Sequence, residues 1–199
     1  AYEIVFVDWR SDVCSSDLLD TLSCGTPSTK REDYWTGSIP WITSKWLNDR
    51  LYLTTGEKFI SDAAVQNSAS KIVPANNLVF ATRVGVGKVA INAIDLAINQ
   101  DLAGLVIDQQ QVYGPFLAYQ LRTEPVQRFA EQNKRGATIK GITRDCLKSI
   151  ESHLPPLAEQ RRTAAVLMAV QRSVKKQQRL AALTAEMTNV PMSKLFTAG

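Results

Sequence analysis

The carboxyl-terminal part of the chain holds the feature that most limits its fold, a long run of helix-forming residues without Gly or Pro. The run LAEQRRTAAVLMAVQRSVKKQQRLAALTAEM covers residues 157–187 and follows the stop LPP at 154–156. Ala, Leu, Gln, Arg and Lys are strong helix formers. We therefore predict one α-helix of roughly 46 Å, at 1.5 Å per residue. A helix of this length cannot bury itself against a domain of about 130 residues, so part of it should pack on another helix.

Apolar residues recur along this helix at an approximate coiled-coil spacing, which Ser173 and Gln177 interrupt. The seam is therefore incomplete, and a partner helix has to complete it. The candidate packing residues are Leu167, Val170, Val174, Leu180, Leu183 and Met187.

Composition excludes several classes of protein. The chain has 199 residues, 45% of them hydrophobic and 21% charged, which fits one domain with an appendage rather than a disordered chain. No apolar run approaches the length of a membrane-spanning helix. The three cysteines are too few and too scattered for a disulfide framework or a zinc knuckle. We predict a soluble protein of a reducing compartment, the cytoplasm.

Charge is distributed unevenly along the chain. Residues 1–20 have a net charge of −4, residues 21–153 of +3 and residues 154–199 of +5. The segment DWRSDVCSSDL at 8–18 matches, at ten of eleven positions, the conceptual translation of a common sequencing-adapter read. We interpret residues 1–20 as a non-native or disordered leader. The remaining chain is basic, which permits a polyanionic partner without requiring one.

Residues 21–153 alternate between strand and helix signals, which indicates an α+β domain built on a mixed β-sheet. The clearest signal is a hairpin, in which the alternating runs LVFATR and KVAI flank the connection GVG. In chain order, the expected elements are a strand in Ser38–Thr43, a short helix in Ala63–Lys71, the hairpin over Asn77–Ile91, a β-rich run in Leu96–Ile107 and a helix over Phe116–Gln132.

Patterns that would indicate catalysis or a bound cofactor are weak. GVGK at Gly85–Lys88 resembles part of a phosphate-binding loop, but Thr82 and Val89 stand where that loop needs Gly and Ser or Thr. A hairpin turn is the better interpretation. His153 is the only histidine and has no second histidine or cysteine pair with which to bind a metal. We predict no catalytic residue, no metal and no cofactor.

Basic and hydrogen-bonding residues in the expected loops make a better case for binding nucleic acid. Arg and Lys pair with guanine edges or phosphates, and Ser and Thr form hydrogen bonds with either. Taken alone this signal is weak, because any soluble domain has such loops. The candidate DNA-binding residues are Thr43, Ser44, Lys45, Trp46, Arg83, Lys88, Lys134, Arg135, Thr138 and Lys140.

Seven short segments follow one another between residues 24 and 187: GTPSTKREDYW, IPWIT, TRVGVGKVAI, NQ, FLAYQL, GATIKGI and LPPLAEQRR. In this order and spacing they resemble the specificity subunit of type I restriction–modification systems. The resemblance implies a target recognition domain at 21–153 that reads one half of a bipartite DNA site, a conserved spacer helix at 154–190 and a truncated linker at 191–199.

The resemblance also implies partners. In this family two spacer helices form an antiparallel coiled coil that sets the distance between half-sites and holds DNA methyltransferase (modification) subunits. A restriction/motor subunit completes the complex, and the specificity subunit itself performs no chemistry. The implied partners are therefore double-stranded DNA, those subunits, and a second specificity half or a second copy joined through the long helix; no membrane is implied.

The chain departs from the family in having one recognition domain and one spacer helix where members usually have two. We interpret it as the amino-terminal half of a specificity subunit. Three alternatives stay open: a half-length subunit that acts as a homodimer, the recognition module of a fused restriction–methylation enzyme, and an assembly module whose domain does not read DNA.

Overall fold

The computed structural model describes residues 19–48, 50–137, 140–150 and 154–188. The chain divides into two compact units, Ala1–Arg161 and Arg162–Gly199, which are described separately. The adapter-like segment 8–18 and His153 lie outside the described residues.

The first unit contains nine strands, four short α-helices and two 3-10 helices, Glu32–Trp35 and Ser44–Trp46, within the described ranges. The strands are β1 (Leu19–Ser23), β2 (Ile39–Ile42), β3 (Tyr52–Leu53), β4 (Lys58–Ile60), β5 (Ile72–Val73), β6 (Asn77–Ala81), β7 (Val89–Asn92), β8 (Leu96–Ile98) and β9 (Leu102–Ile107). The helices are α1 (Asp62–Gln66), α2 (Gly114–Leu121), α3 (Glu124–Gln132) and α4 (Arg144–Lys148), and α5 (Leu157–Thr188) begins in this unit and continues into the second.

The strands form two mixed sheets, which confirms the α+β class. One sheet has the order β1-β9-β6-β7-β3 and the other β4-β2-β8-β5. β6 and β7 are the predicted hairpin, with Val79 opposite Ala90. The pairs β2–β8 and β3–β7 are parallel and the other pairs are antiparallel. β1 begins at Leu19, so the first sheet includes two residues of the segment that the sequence analysis assigns to a leader.

Two hydrophobic clusters hold these layers together. The larger draws on strands of both sheets, with Val79 and Ala90 from one and Ile42, Leu96 and Ile98 from the other. All five residues of β6 are buried, because α2 contacts β6 and β7 on the remaining face. This explains why LVF in β6 is a continuous apolar run. The smaller cluster includes Tyr34, Trp41, Ile60, Ala64 and Ala97.

The single helix predicted over Phe116–Gln132 is wrong, because the segment forms α2 and α3. Pro125 occupies the first turn of α3, where its missing N–H needs no partner. In a continuous helix the same residue would leave the Leu121 carbonyl without its backbone donor. The Gln127 side chain donates from Nε2 to that carbonyl instead, at 2.7 Å. Pro125 and the Gln127 amide together account for two helices where the sequence predicts one.

The long helix predicted from residue 157 is confirmed as α5, which begins at Leu157 and ends at Thr188. Its first turn is tied to the domain through Gln160, which is 1% exposed. The amide of Gln160 accepts from the Tyr113 N–H at 2.7 Å and donates to the Gln111 and Pro155 carbonyls at 2.8 Å each. No helix in the described part of the chain is long and apolar enough to cross a membrane.

Candidate nucleic-acid interface

Several loops meet at one edge of the two sheets because the strand ends are in register there. β6 ends at Ala81 opposite Leu102, where β9 begins. β2 and β8 end together, and the Asn99 N–H donates to the Ile42 carbonyl at 3.1 Å. The loops that follow or precede these strand ends must therefore lie side by side. We call this edge the loop edge; its residues are 43–46, 82–88, 99–101, 134–137 and 140–144.

The hairpin connection at the loop edge is a tight turn. Gly85 and Gly87 have φ of 69° and 93°, in the left-handed region that residues with a Cβ rarely adopt. The Gly87 N–H donates to the Ala81 carbonyl at 3.1 Å, and the Ala81 N–H donates to the Lys88 carbonyl at 2.9 Å. This geometry accounts for GVG as a turn signal and supports the hairpin interpretation over a phosphate-binding loop.

The polar loop after α3 is fastened to this hairpin. Arg135 and Gly141 exchange backbone hydrogen bonds of 2.8 and 2.9 Å, and the Ile142 N–H donates to the Thr82 carbonyl at 2.8 Å. A Cβ on Gly141 would lie 2.6 Å from the Thr82 oxygen. The contact therefore requires glycine, and it holds Arg135 near Arg83.

A cleft of about 750 Å³ opens between these loops. The three arginines in its lining come from different segments of the chain. Arg83 has a carboxylate nearby, with Nη1 4.0 Å from Oδ1 of Asp101. The polar residues that line the cleft are Ser23, Thr82, Arg83, Gln100, Arg135, Thr143 and Arg144. Such a lining offers many hydrogen-bond donors and positive charge, which suits an anionic ligand.

The predicted group Thr43–Trp46 is only partly available to a ligand. The Thr43 hydroxyl and N–H donate to Oε2 of Glu57 at 2.6 and 3.1 Å, and Ser44 is 3% exposed. Lys45 and Trp46 are exposed. Residue type alone had selected all four, whereas the turn directs two of them inward.

The other predicted residues lie on the hairpin and on the polar loop. Arg83 and Lys88 are exposed on either side of the turn, and Arg135 and Lys140 are exposed on the loop. Lys134 is half-buried and forms an ion pair with Glu131. The remaining candidate, Thr138, lies outside the described residues.

Five polar residues that line the cleft are absent from the sequence-based candidates: Ser23, Thr82, Gln100, Thr143 and Arg144. Gln100 is exposed in the turn between β8 and β9, and its Oε1 accepts a hydrogen bond from the Thr26 hydroxyl. The hydroxyl of Thr143 accepts from the Cys146 N–H at 3.2 Å and caps α4. A Thr at the N-cap is a sequence signal that could have predicted the start of α4 at Arg144.

The described residues offer little for catalysis or metal binding. Nowhere in these ranges do three His, Cys, Asp or Glu side chains come together in a group that could hold a metal. Burial raises the pKa of the Cys24 thiol and of the Cys146 thiol above the ordinary value. Both thiols are therefore protonated at neutral pH and poor nucleophiles.

In the second unit, α5 exposes the apolar residues that the sequence analysis assigned to helix packing. Their exposed fractions range from 39% at Leu167 to 77% at Met187. Val166, which also faces solvent, is 63% exposed. The residues with this exposure are Leu167, Val170, Val174, Leu180, Leu183 and Met187.

Solved structures share this architecture. A chain from a type I restriction–modification system, solved for its complex assembly and conformational transition, matches 94% of this chain with a TM-score of 0.72 at 23% identity, over 45% of its own length. The HsdS subunit from Thermoanaerobacter tengcongensis matches 89% with a TM-score of 0.66 at 20% identity, over 42% of its length. The two mixed sheets followed by a long helix are thus the fold of a known class of subunit.

Sequence comparison gives the family. The model of the type I restriction modification DNA specificity domain matches residues 7–185. The MjaIX specificity subunit of Methanocaldococcus jannaschii is 31% identical over 153 residues, which are 76% of this chain and 35% of that protein. The EcoR124I/EcoR124II specificity subunit of Escherichia coli is 28% identical over 148 residues, 72% of this chain and 36% of that protein.

The chain therefore belongs to the specificity subunits of type I restriction–modification systems, with a DNA specificity domain. It spans about a third of the length of the relatives it matches.

Proposed function

We propose that this chain is a non-catalytic DNA reader, whose domain at 21–153 recognises one half of a bipartite site through the loop edge. The observation that carries the proposal is the cleft of about 750 Å³ with Arg83, Arg135 and Arg144 in its lining. Arg83 comes from the hairpin, whereas Arg135 follows α3 and Arg144 begins α4, so long-range packing rather than local sequence brings Arg83 to the other two.

The chemistry of the loop edge suits both parts of DNA recognition. Exposed cations such as Lys88 and Lys140 neutralise phosphates, which gives affinity. Gln100 presents an amide of the kind that reads base edges in the major groove. Phosphate contacts position the domain and base contacts specify the sequence.

The spacer helix at 154–190 supplies the second part of the proposed function. Its exposed apolar residues need a partner, and an antiparallel coiled coil with a second spacer helix would bury them. The partner helix belongs either to a second specificity half or to a second copy of this chain. We assign the docking of methyltransferase and restriction/motor subunits to the assembled pair, which would work on DNA in the cytoplasm.

A fused restriction–methylation enzyme, in which the same recognition module trails catalytic domains, is the second candidate. A catalytic domain in the same polypeptide would establish it.

The proposal is tested by selecting a preferred duplex from a random DNA pool and measuring its affinity against salt. We expect Arg83→Ala and Arg135→Ala each to weaken binding and to reduce the slope of log K against log salt by about 1, as one lost phosphate contact would. A residue that reads a base would instead relax the preference at one position.

Arg128→Ala is the matched control. Arg128 lies on α3, is exposed, and pairs with Glu124 on a face away from the buried Val126 and Ala130. Arg128→Ala removes the same charge without altering the loop edge, so the affinity for DNA should stay near that of the unaltered chain. Equal losses in all three variants, or binding that does not respond to salt, would contradict the proposal.

A further inference from the structure

The turn of the hairpin carries an apolar side chain into solvent at the loop edge. Val84 is 44% exposed and follows Arg83, and Lys88 lies at the other end of the turn. Both flanking cations are exposed. A single exposed valine is ordinary on a protein surface. What distinguishes Val84 is its position between two cations on a turn that the rest of the domain holds in place.

Contacts from two sides hold this turn. The Thr82 and Arg83 N–H groups donate to the Asp101 carbonyl at 2.9 and 3.3 Å. On the other side, Nε2 of Gln127 donates to the Gly87 carbonyl at 2.9 Å. Val84 is therefore presented by a braced turn, and little conformational entropy remains to be lost when a ligand covers it.

The strands β6 and β7 are buried within the first sheet, so only the turn at 82–88 can reach DNA. An exposed turn of this size can enter the major groove of B-DNA, which is about 12 Å wide. In that position Arg83 and Lys88 would meet phosphates or polar base edges. The side chain between them offers no hydrogen bond, so it can discriminate only by apolar contact. The apolar group that base edges present in the major groove is the C5-methyl of thymine.

We propose that Val84 is a specificity-determining residue that contacts the C5-methyl group of a thymine in the recognised half-site. The inference rests on the proposed DNA-reading function and assigns one chemical feature of the DNA to one side chain. It requires no movement of the hairpin, because Val84 is already exposed.

The test uses the full chain and the duplex selected from a random pool, with each thymine replaced in turn by deoxyuridine. Replacement removes one methyl group from DNA and leaves every hydrogen bond intact. At one position we expect the unaltered chain to lose affinity about four-fold, the effect of one buried methyl group. Val84→Ala should lose affinity for the thymine duplex and show no further loss with deoxyuridine at that position.

Val86→Ala is the matched control, because it makes the same change in the same turn at a half-buried side chain. It should keep the four-fold response to deoxyuridine. The thermal unfolding midpoint of Val84→Ala should equal that of the unaltered chain, since the removed methyl groups are exposed.

Loss of the DNA-reading function and loss of the Val84 contact give different results in this test. A random pool that yields no enriched sequence overturns the DNA-reading function, and this inference with it. An enriched sequence whose deoxyuridine response is the same in Val84→Ala as in the unaltered chain, or absent at every thymine, overturns the role of Val84 alone.

Discussion

Gly141 brings the polar loop against the hairpin at a point with no room for a Cβ. A Cβ there would lie 2.6 Å from the Thr82 oxygen and 2.9 Å from Cγ of Arg83. We expect Gly141→Ala to lower the free energy of unfolding by about 1–3 kcal/mol, the usual cost of forcing atoms into a packed site. The same variant should weaken DNA binding, because the loop that carries Arg135 is displaced. Chemical denaturation and DNA titration check the two effects.

Gly114→Ala is the control for this substitution. Gly114 begins α2 and is also buried, but the nearest atom to an added Cβ is 3.5 Å away, which is ordinary contact. Alanine also favours helix over glycine, so the variant should be as stable as the unaltered chain or slightly more stable. A loss as large as that of Gly141→Ala would show that close approach to Thr82 is not the cause.

Residue type identified candidates that the structure then separated. Thr43 and Ser44 are suitable DNA contacts by chemistry, yet Glu57 binds the first and the turn buries the second. Asn92 is a polar residue that the structure uses inside the domain. It is fully buried in β7, where its Nδ2 donates to the Val73 and Ile94 carbonyls at 3.1 and 3.0 Å. Neither outcome follows from residue type, because Glu57 lies 14 residues from Thr43 and Val73 lies 19 residues from Asn92.

At the scale of elements, α5 has a series of exposed apolar residues that no other described element covers. Leu180→Asp places a charge on the proposed seam, so we expect self-association to weaken by at least ten-fold, since burying an unpaired carboxylate is costly. Analytical ultracentrifugation over a range of concentrations measures this change.

Ala182→Asp adds the same charge two residues further along, roughly 200° around the helix. It should leave association unchanged, because residues two apart do not share a helix face. Equal weakening by both variants would point to general charge repulsion, and no association of the unaltered chain would leave a separate specificity half as the proposed partner.

The α2–α3 break shows the limit of periodicity. The apolar spacing of residues 116–132 fits one helix, but this pattern takes no account of Pro125. The effect of Pro125 depends on whether the Leu121 carbonyl finds another donor. Gln127 supplies that donor. Helix boundaries therefore depended on a side-chain contact that a hydrophobic pattern does not contain.

At the scale of the whole molecule, the first compact unit extends into α5 as far as Arg161. We expect a chain that ends at Arg161 to fold and to keep most of the stability of the domain, because both hydrophobic clusters and Gln160 remain. A chain that ends at Pro156 should be less stable by about 1 kcal/mol, because the partly buried backbone groups of Gln111 and Tyr113 lose their partner. Tryptophan fluorescence of Trp35 and Trp41 reports the transition.

The pair of truncations separates two explanations. Equal midpoints would mean that Gln160 contributes nothing to the domain. A chain ending at Arg161 that fails to fold would mean that the domain depends on the second unit.

The sequence by itself determined the elements whose signals are local. A run of 31 residues without Gly or Pro specified α5, and alternation around GVG specified the β6–β7 hairpin, because helix propensity and turn geometry act over a few residues. The order of seven short motifs indicated the family, which the match over residues 7–185 confirmed.

Only the tertiary structure decided which loops share the loop edge. Arg83, Gln100 and Arg135 meet there because β6 ends opposite the start of β9, β8 ends just before β9, and a glycine lets the polar loop approach Thr82. Long-range strand pairing sets that register, and it depends on the burial of whole strand faces rather than on any short segment. The chemistry of each side chain was visible in the sequence, and their common location required the fold.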